Sequence, residues 1–311
     1  MTKSLQENAA PARTDPHGPR SGSGLASGLG AYMLWGVFPI YFHAVAQVPP
    51  LVVLCHRIVW SALFLAFVIW LRREWRPIAH VASARRSLLW LSAGAIFMAL
   101  NWLVFIYAVG SGQTLQASLG YFINPLFSIA LGLFFLGERL RKWQGLAVVM
   151  ATGAVVNLAI RGHGFPWIAV SLAISFGLYG LVRKRADVNS LHGLLVETVI
   201  LLPVAGILLI VLPAPKLSSD TWVLLSLSGV ITAVPLLLFG VAVRRLQLST
   251  LGFLQYVGPT LQFLVAVWVF HEPLSRTKLV SFALCWLAIA VYVADSILNR
   301  RPAAADADEL D

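Results

Sequence analysis

Ten long apolar runs, broken by short polar and basic connectors, occupy the chain from residue 27 to residue 298. A helix of about 20 apolar residues crosses the roughly 30 Å hydrocarbon core of a bilayer, and each run is close to that length. The pattern predicts spans near 27–47, 51–71, 88–110, 114–136, 143–160, 165–182, 191–212, 221–243, 248–270 and 278–298. Several connectors are too short to hold a domain, so neighbouring helices run antiparallel in one all-α integral membrane bundle. Residues 1–26, rich in Gly, Ser, Pro and Arg, read as a disordered tail rather than a signal peptide. Residues 300–311 read as a second disordered tail.

Composition supports the pattern. Of 311 residues, 59% are hydrophobic and 12% charged, against roughly 45–50% and 25% in soluble domains. The formal charge of +10 does not point to nucleic acid, because the basic residues cluster between apolar runs. Eighteen of the 23 Lys and Arg residues fall on the side of the two termini and four on the other. The positive-inside rule then puts both termini in the cytoplasm. Cys55 and Cys285 lie in apolar runs without metal-ligand spacing and read as inert thiols. No cofactor is indicated.

The two halves of the chain resemble each other. Pro125 precedes Glu138, and Pro259 precedes Glu272, by the same 13 residues, and one offset of 134 residues relates both pairs. Upstream, residues 31–42 resemble 173–184 and residues 49–60 resemble 189–200 at an offset near 140. With five spans per half, the second half enters the membrane from the opposite side. The expectation is two inverted five-helix repeats, 27–162 and 163–299, a plan suited to alternating access.

The ten-helix plan, the paired Pro-to-Glu motifs and LWG at 34–36 resemble the EamA group of the drug/metabolite transporter superfamily. More specifically, HRIVWS (56–61), LNWLVFIYAV (100–109), ASLGYFINPL (117–126), SFGLYGLVRK (175–184), ET (197–198) and LSTLGFLQYVGPTLQFL (248–264) resemble the RarD subfamily. The resemblance covers residues 27–298 and implies a multi-pass permease of a small solute in the bacterial inner membrane. It implies no particular substrate.

Charged residues inside the spans are the candidates for function, since each costs about 2.5–3.5 kcal/mol at a helix centre by insertion scales and normally faces protein or a wet cavity. Arg57 and Glu197 are the deep ones, at equivalent places in the two halves. They either pair directly or serve a cavity separately. In the second case Arg57 presents a planar fork to an anionic or carbonyl-bearing solute, and Glu197 carries a coupling proton. The competing role for Arg57 is purely structural, capping carbonyls of a neighbouring helix. His56 points about 100° away and reads as packed, whereas Trp60, at i+3, is a candidate to stack on the guanidinium or the solute. Asn101, Tyr121 with Asn124, and Gln255 with Gln262 complete the proposed solute set, Pro125 following the Tyr121–Asn124 pair and Pro259 lying between the two glutamines. Each amide alone reads more readily as an interhelical bond. Asp295 reads as a solvated helix end, and Glu138 and Glu272 as caps of the helices that follow them.

The chain has no H-E-x-x-H, G-x-S-x-G or nucleotide-binding loop, so an enzyme and an ATP-driven pump lack their chemistry. The expectation is a proton-coupled secondary transporter. The rivals are a channel or uncoupled facilitator, and a receptor or scaffold that moves nothing.

Overall fold

The computed structural model describes residues 19–136, 141–161, 165–186, 188–213, 217–246 and 254–298, and the helices are as follows. They are α1 (Pro19–Ala44), α2 (Pro50–Arg72), α3 (Trp75–Ser83), α4 (Arg85–Gly110), α5 (Thr114–Leu136), α6 (Lys142–Arg161), α7 (Trp167–Ala186), α8 (Ser190–Val211), α9 (Ser219–Arg245), α10 (Val257–Leu264) and α11 (Arg276–Leu298). Among the described residues, seven helices are long and apolar enough to cross a membrane. The chain is a multi-pass membrane protein. Its surface agrees, since Ile160 and Ile210 are 75% and 85% exposed while Arg57, Asn101 and Glu197 are buried.

Local sequence sets the helix ends. Pro49 and Pro50, with φ fixed near the helical value, start α2. Arg73 ends it in the left-handed region (φ 56°), where its N–H reaches the carbonyls of Ile69 and Trp70. Asn189 caps α8 by accepting the Leu191 N–H at 3.0 Å. Helix α3, absent from the sequence reading, lies in the basic connector before residue 88. Its Ile78 and Val81 form a narrow apolar stripe against Leu91 and Val196, too short a signal to register among five arginines. Near α10 the chain turns at residues 255–256, because Pro259 has no N–H for the carbonyl of Gln255. A π-helical turn, Val265–Val269, follows.

The closest packing runs between the halves of the chain: α6 on α11, α5 and α4 on α7, α1 on α9 and α10, and α2 on α8 and α9. Two ends of the bundle differ in character. The basic end carries Arg72, Arg73, Arg85, Arg141, Arg183 and Arg245. Here His192 Nε2 meets Glu74 Oε2 at 2.8 Å, and Arg141 Nε meets Asp295 Oδ2 at 2.7 Å. Asp295 is thus buried and ion-paired, not solvated as its place near a helix end suggested, because α6 packs along α11 and brings Arg141 to it.

The opposite end is closed by direct bonds. Tyr41 Oη donates to the Leu224 carbonyl at 2.8 Å, Gln47 Nε2 donates to Thr221 Oγ1 at 3.1 Å, and His43 stacks on Phe270 at 4.5 Å. Glu272 is buried there and accepts the N–H groups of Thr114 and Leu115 at 2.6 and 3.0 Å. It does cap a helix, but the helix is α5 of the first half rather than the one that follows it. Sequence neighbours alone could not indicate this, since the partners are 158 residues apart. Glu138 lies outside the described residues.

Small residues permit the inter-half contacts. A Cβ on Gly229 of α9 would collide with the carbonyl of Trp60 in α2, whereas one on Gly153 of α6 would meet nothing within 4 Å. Gly229→Ala should therefore force α2 and α9 apart and cost about 1–3 kcal/mol. Gly153→Ala should be neutral or mildly stabilising. Melting temperatures in detergent check both, and equal values for the two variants would refute the close approach.

Candidate functional site

A cavity of about 820 Å³ enters from the basic end and stops at Arg57. Arg72, Asn189, Ser190 and Arg245 are exposed and line its mouth, while Trp35, Arg57, Asn124 and Gln262 line its depth. Arg57 stands about two turns into α2, roughly 10 Å from the closed end. The cavity therefore reaches past the middle of the bundle without piercing it.

Arg57 is 4% exposed and, among the described residues, hydrogen-bonded on one edge only. Its Nε donates to Thr232 Oγ1 of α9 at 2.8 Å, and its Cζ lies 4.1 Å from the Trp102 ring centroid and 5.3 Å from that of Phe42. Nη1 has no hydrogen-bond partner among the described residues. The same holds for Asn124 Oδ1 and Gln262 Oε1, both buried and both in the lining. Gln262 is oriented by its Nε2, which can only donate to the Trp35 carbonyl at 3.1 Å. An unpaired buried polar atom costs about 1–3 kcal/mol, and residues that carry three of them line this one cavity.

One family model, described as the EamA-like transporter family, matches this chain twice, over residues 22–160 and 165–294. The chain belongs to that family. The protein called RarD in Escherichia coli is 43% identical over 285 residues, covering 89% of this chain and 96% of that one. An uncharacterized transporter of Vibrio cholerae is 44% identical over 281 residues, 88% and 93% of the two chains. The uncharacterized transporter YojE of Bacillus subtilis is 41% identical over 278 residues, 87% and 93%. A crystal structure at 19% identity superposes with a TM-score of 0.60 over 90% of this chain and 99% of that one, so the fold is shared. These relationships make the chain a RarD-like membrane transporter of a small solute.

In this EamA-like transporter the residues singled out from sequence separate into groups. Arg57, Asn124, Gln255 and Gln262 meet in the cavity lining, the first two and the last each with one buried polar atom that has no partner among the described residues. Asn101 and Tyr121 also line it, but they are bonded to protein. Asn101 Nδ2 donates to Ser175 Oγ and the Leu172 carbonyl, and its Oδ1 accepts from Tyr121 Oη at 3.0 Å. They fix the wall. Trp60 is half-buried and outside the lining, and the ring on the guanidinium is Trp102 of α4. His56 packs edge-on to Trp222 at 5.2 Å, as a packed histidine should.

Arg57 and Glu197 do not pair. Glu197, 2% exposed, meets Arg183 Nη1 at 3.4 Å through Oε1 and accepts from Tyr179 Oη at 3.2 Å through Oε2. Both partners line the cavity, whereas Glu197 lies behind them. From sequence, Arg183 reads only as a topology charge, and Tyr179 is not singled out. Their spacing of four residues on one helix, which puts them on one face, was the available signal.

Proposed function

We propose that this transporter is a secondary-active permease of the bacterial inner membrane. It moves a small anionic or carbonyl-bearing solute by alternating access and couples it to protons. The observation that carries the reading is a one-ended cavity terminating on a buried arginine with an unpaired donor. The solute's acceptor group supplies what Nη1 lacks, and its hydrogen-bond donors meet Asn124 and Gln262. The ten spans form two inverted five-helix repeats. The double match of one family model supports this, and so does the packing, in which exchanging the halves turns α1 on α9 into α7 on α4, and α1 on α10 into α7 on α5. With both termini cytoplasmic, as the basic clusters favour, the cavity opens inward.

A solute is first sought by thermal stabilisation, since a binder of the native state alone raises its melting temperature. Proteoliposomes loaded with that solute should then exchange it for labelled solute outside. Conductance without exchange would make the protein a channel, and neither activity would leave a receptor or scaffold. For orientation, a cysteine placed at position 142 should react with a membrane-impermeant maleimide in inverted vesicles and not in intact cells. Labelling in intact cells would reverse the topology.

A further inference from the structure

Behind the cavity wall, Glu197 occupies a niche shaped for it and for Arg183. A Cβ on Gly94 of α4 would stand 2.8 Å from Glu197 Oε1, and one on Gly193 of α8 would overlap the Arg183 guanidinium. Two helices have given up side chains so that one ion pair can sit between them. The pair is nevertheless loose. At 3.4 Å its contact is long for a charge-assisted bond, and among the described residues Arg183 Nη2 is engaged only by the Val188 carbonyl at 3.3 Å. Arg183 has one side on Glu197 and another on the solute cavity.

We infer that Arg183 is a shared cation, which Glu197 holds while the cavity is empty and an acidic solute takes when the cavity fills. The inference rests on the cavity as the solute site and on Glu197 as the proton site. When the solute's carboxylate or comparable acid group draws the guanidinium to itself, Glu197 loses its counter-charge inside the bundle and takes up a proton from cavity water. One anion and one proton load together from the same side, with no net change in the charge of the occupied site. Loading of this kind makes the transporter carry proton and acid in the same direction rather than exchange them.

Besides Arg183 and Tyr179, no ionisable group contacts Glu197 among the described residues. Tyr179 of α7 holds Oε2 and α4 offers Gly94. On α8 itself His192 is engaged by Glu74, which precedes α3, and on α2 Arg57 is engaged by Thr232. Arg72, at the end of α2, stands at the cavity mouth.

The test reads Glu197 directly and needs no transport. Dicyclohexylcarbodiimide modifies protonated carboxyl groups in apolar surroundings, and the modified Glu197 peptide is quantified by mass spectrometry on the purified full chain at neutral pH. Benzoate serves as the acidic probe and benzamide as its neutral isostere, which obstructs the cavity equally. Benzoate should raise the labelling rate several-fold over benzamide in the wild type. Arg183→Gln should label fast without a probe and lose the difference. Gly193→Ala should behave likewise although every charge remains, because its Cβ displaces the guanidinium. Equal rates with benzoate and benzamide in the wild type overturn the inference, as does slow labelling of either variant. If both variants prove unstable, the wild-type comparison decides alone. Failure of the underlying reading looks different: the benzoate response persists, but transport by Glu197→Gln remains gradient-driven.

Discussion

Arg57→Lys will bind the transported solute about 10-fold or more weakly than the wild type, a loss of about 1.4 kcal/mol, while reaching the membrane at similar abundance. Lysine keeps the charge and can still sit over Trp102. It loses the planar fork, and with it the unpaired Nη1 that faces no protein acceptor. The bond from Nε to Thr232 is lost as well, so some stability goes with it. Thr232→Val isolates that part, since it removes the same bond and leaves Nη1 in place. If the guanidinium serves solute, Thr232→Val should lower the melting temperature about as much as Arg57→Lys and leave affinity nearly intact. An Arg57→Lys protein that is unstable yet binds normally would leave Arg57 as a clamp between α2 and α9.

Glu197→Gln should abolish proton-driven accumulation and leave solute counterflow running. With one proton per solute, a gradient of about one pH unit sustains roughly tenfold accumulation, about 1.4 kcal/mol of driving force. The variant should bring the solute only to equal concentrations on both sides. Glutamine matches the volume of the niche against Gly94 and can still accept from Tyr179, so folding is not the expected casualty. Accumulation that still follows the pH gradient in the variant would remove Glu197 from the coupling.

The all-helical, membrane-spanning character was legible because hydrocarbon acts on every residue of a span at once, so about twenty residues report a single fact. Arg57 and Glu197 stood out on the same physics, as charges where charges are costly. What they touch was not legible. Trp60 is only a candidate to stack on Arg57, because it shares a helix face; Trp102 reaches the guanidinium from α4, and face arithmetic on one helix says nothing about its neighbour. Asp295 read as solvated because Arg141 lies 154 residues away in the chain. Arg183 was closer in sequence to its partner Glu197 than either is to Arg57, but a charge near a helix end is explained so readily by membrane topology that its second role stayed hidden. The turn at 255–256 followed from Pro259, although the π-helical turn beyond it has no comparable signature.

The Glu272 cap on α5 sets an order of events during synthesis. The N–H groups of Thr114 and Leu115 leave the ribosome 158 and 157 residues before the carboxylate that binds them. At about 5–20 residues per second that interval is roughly 8–30 s. Throughout it the start of α5 must find its partners in water or lipid headgroups, with the bundle end still open. The start of α5 therefore gains its native cap only once residue 272 has been made. A nascent chain arrested before residue 272 should be the form that membrane proteases recognise.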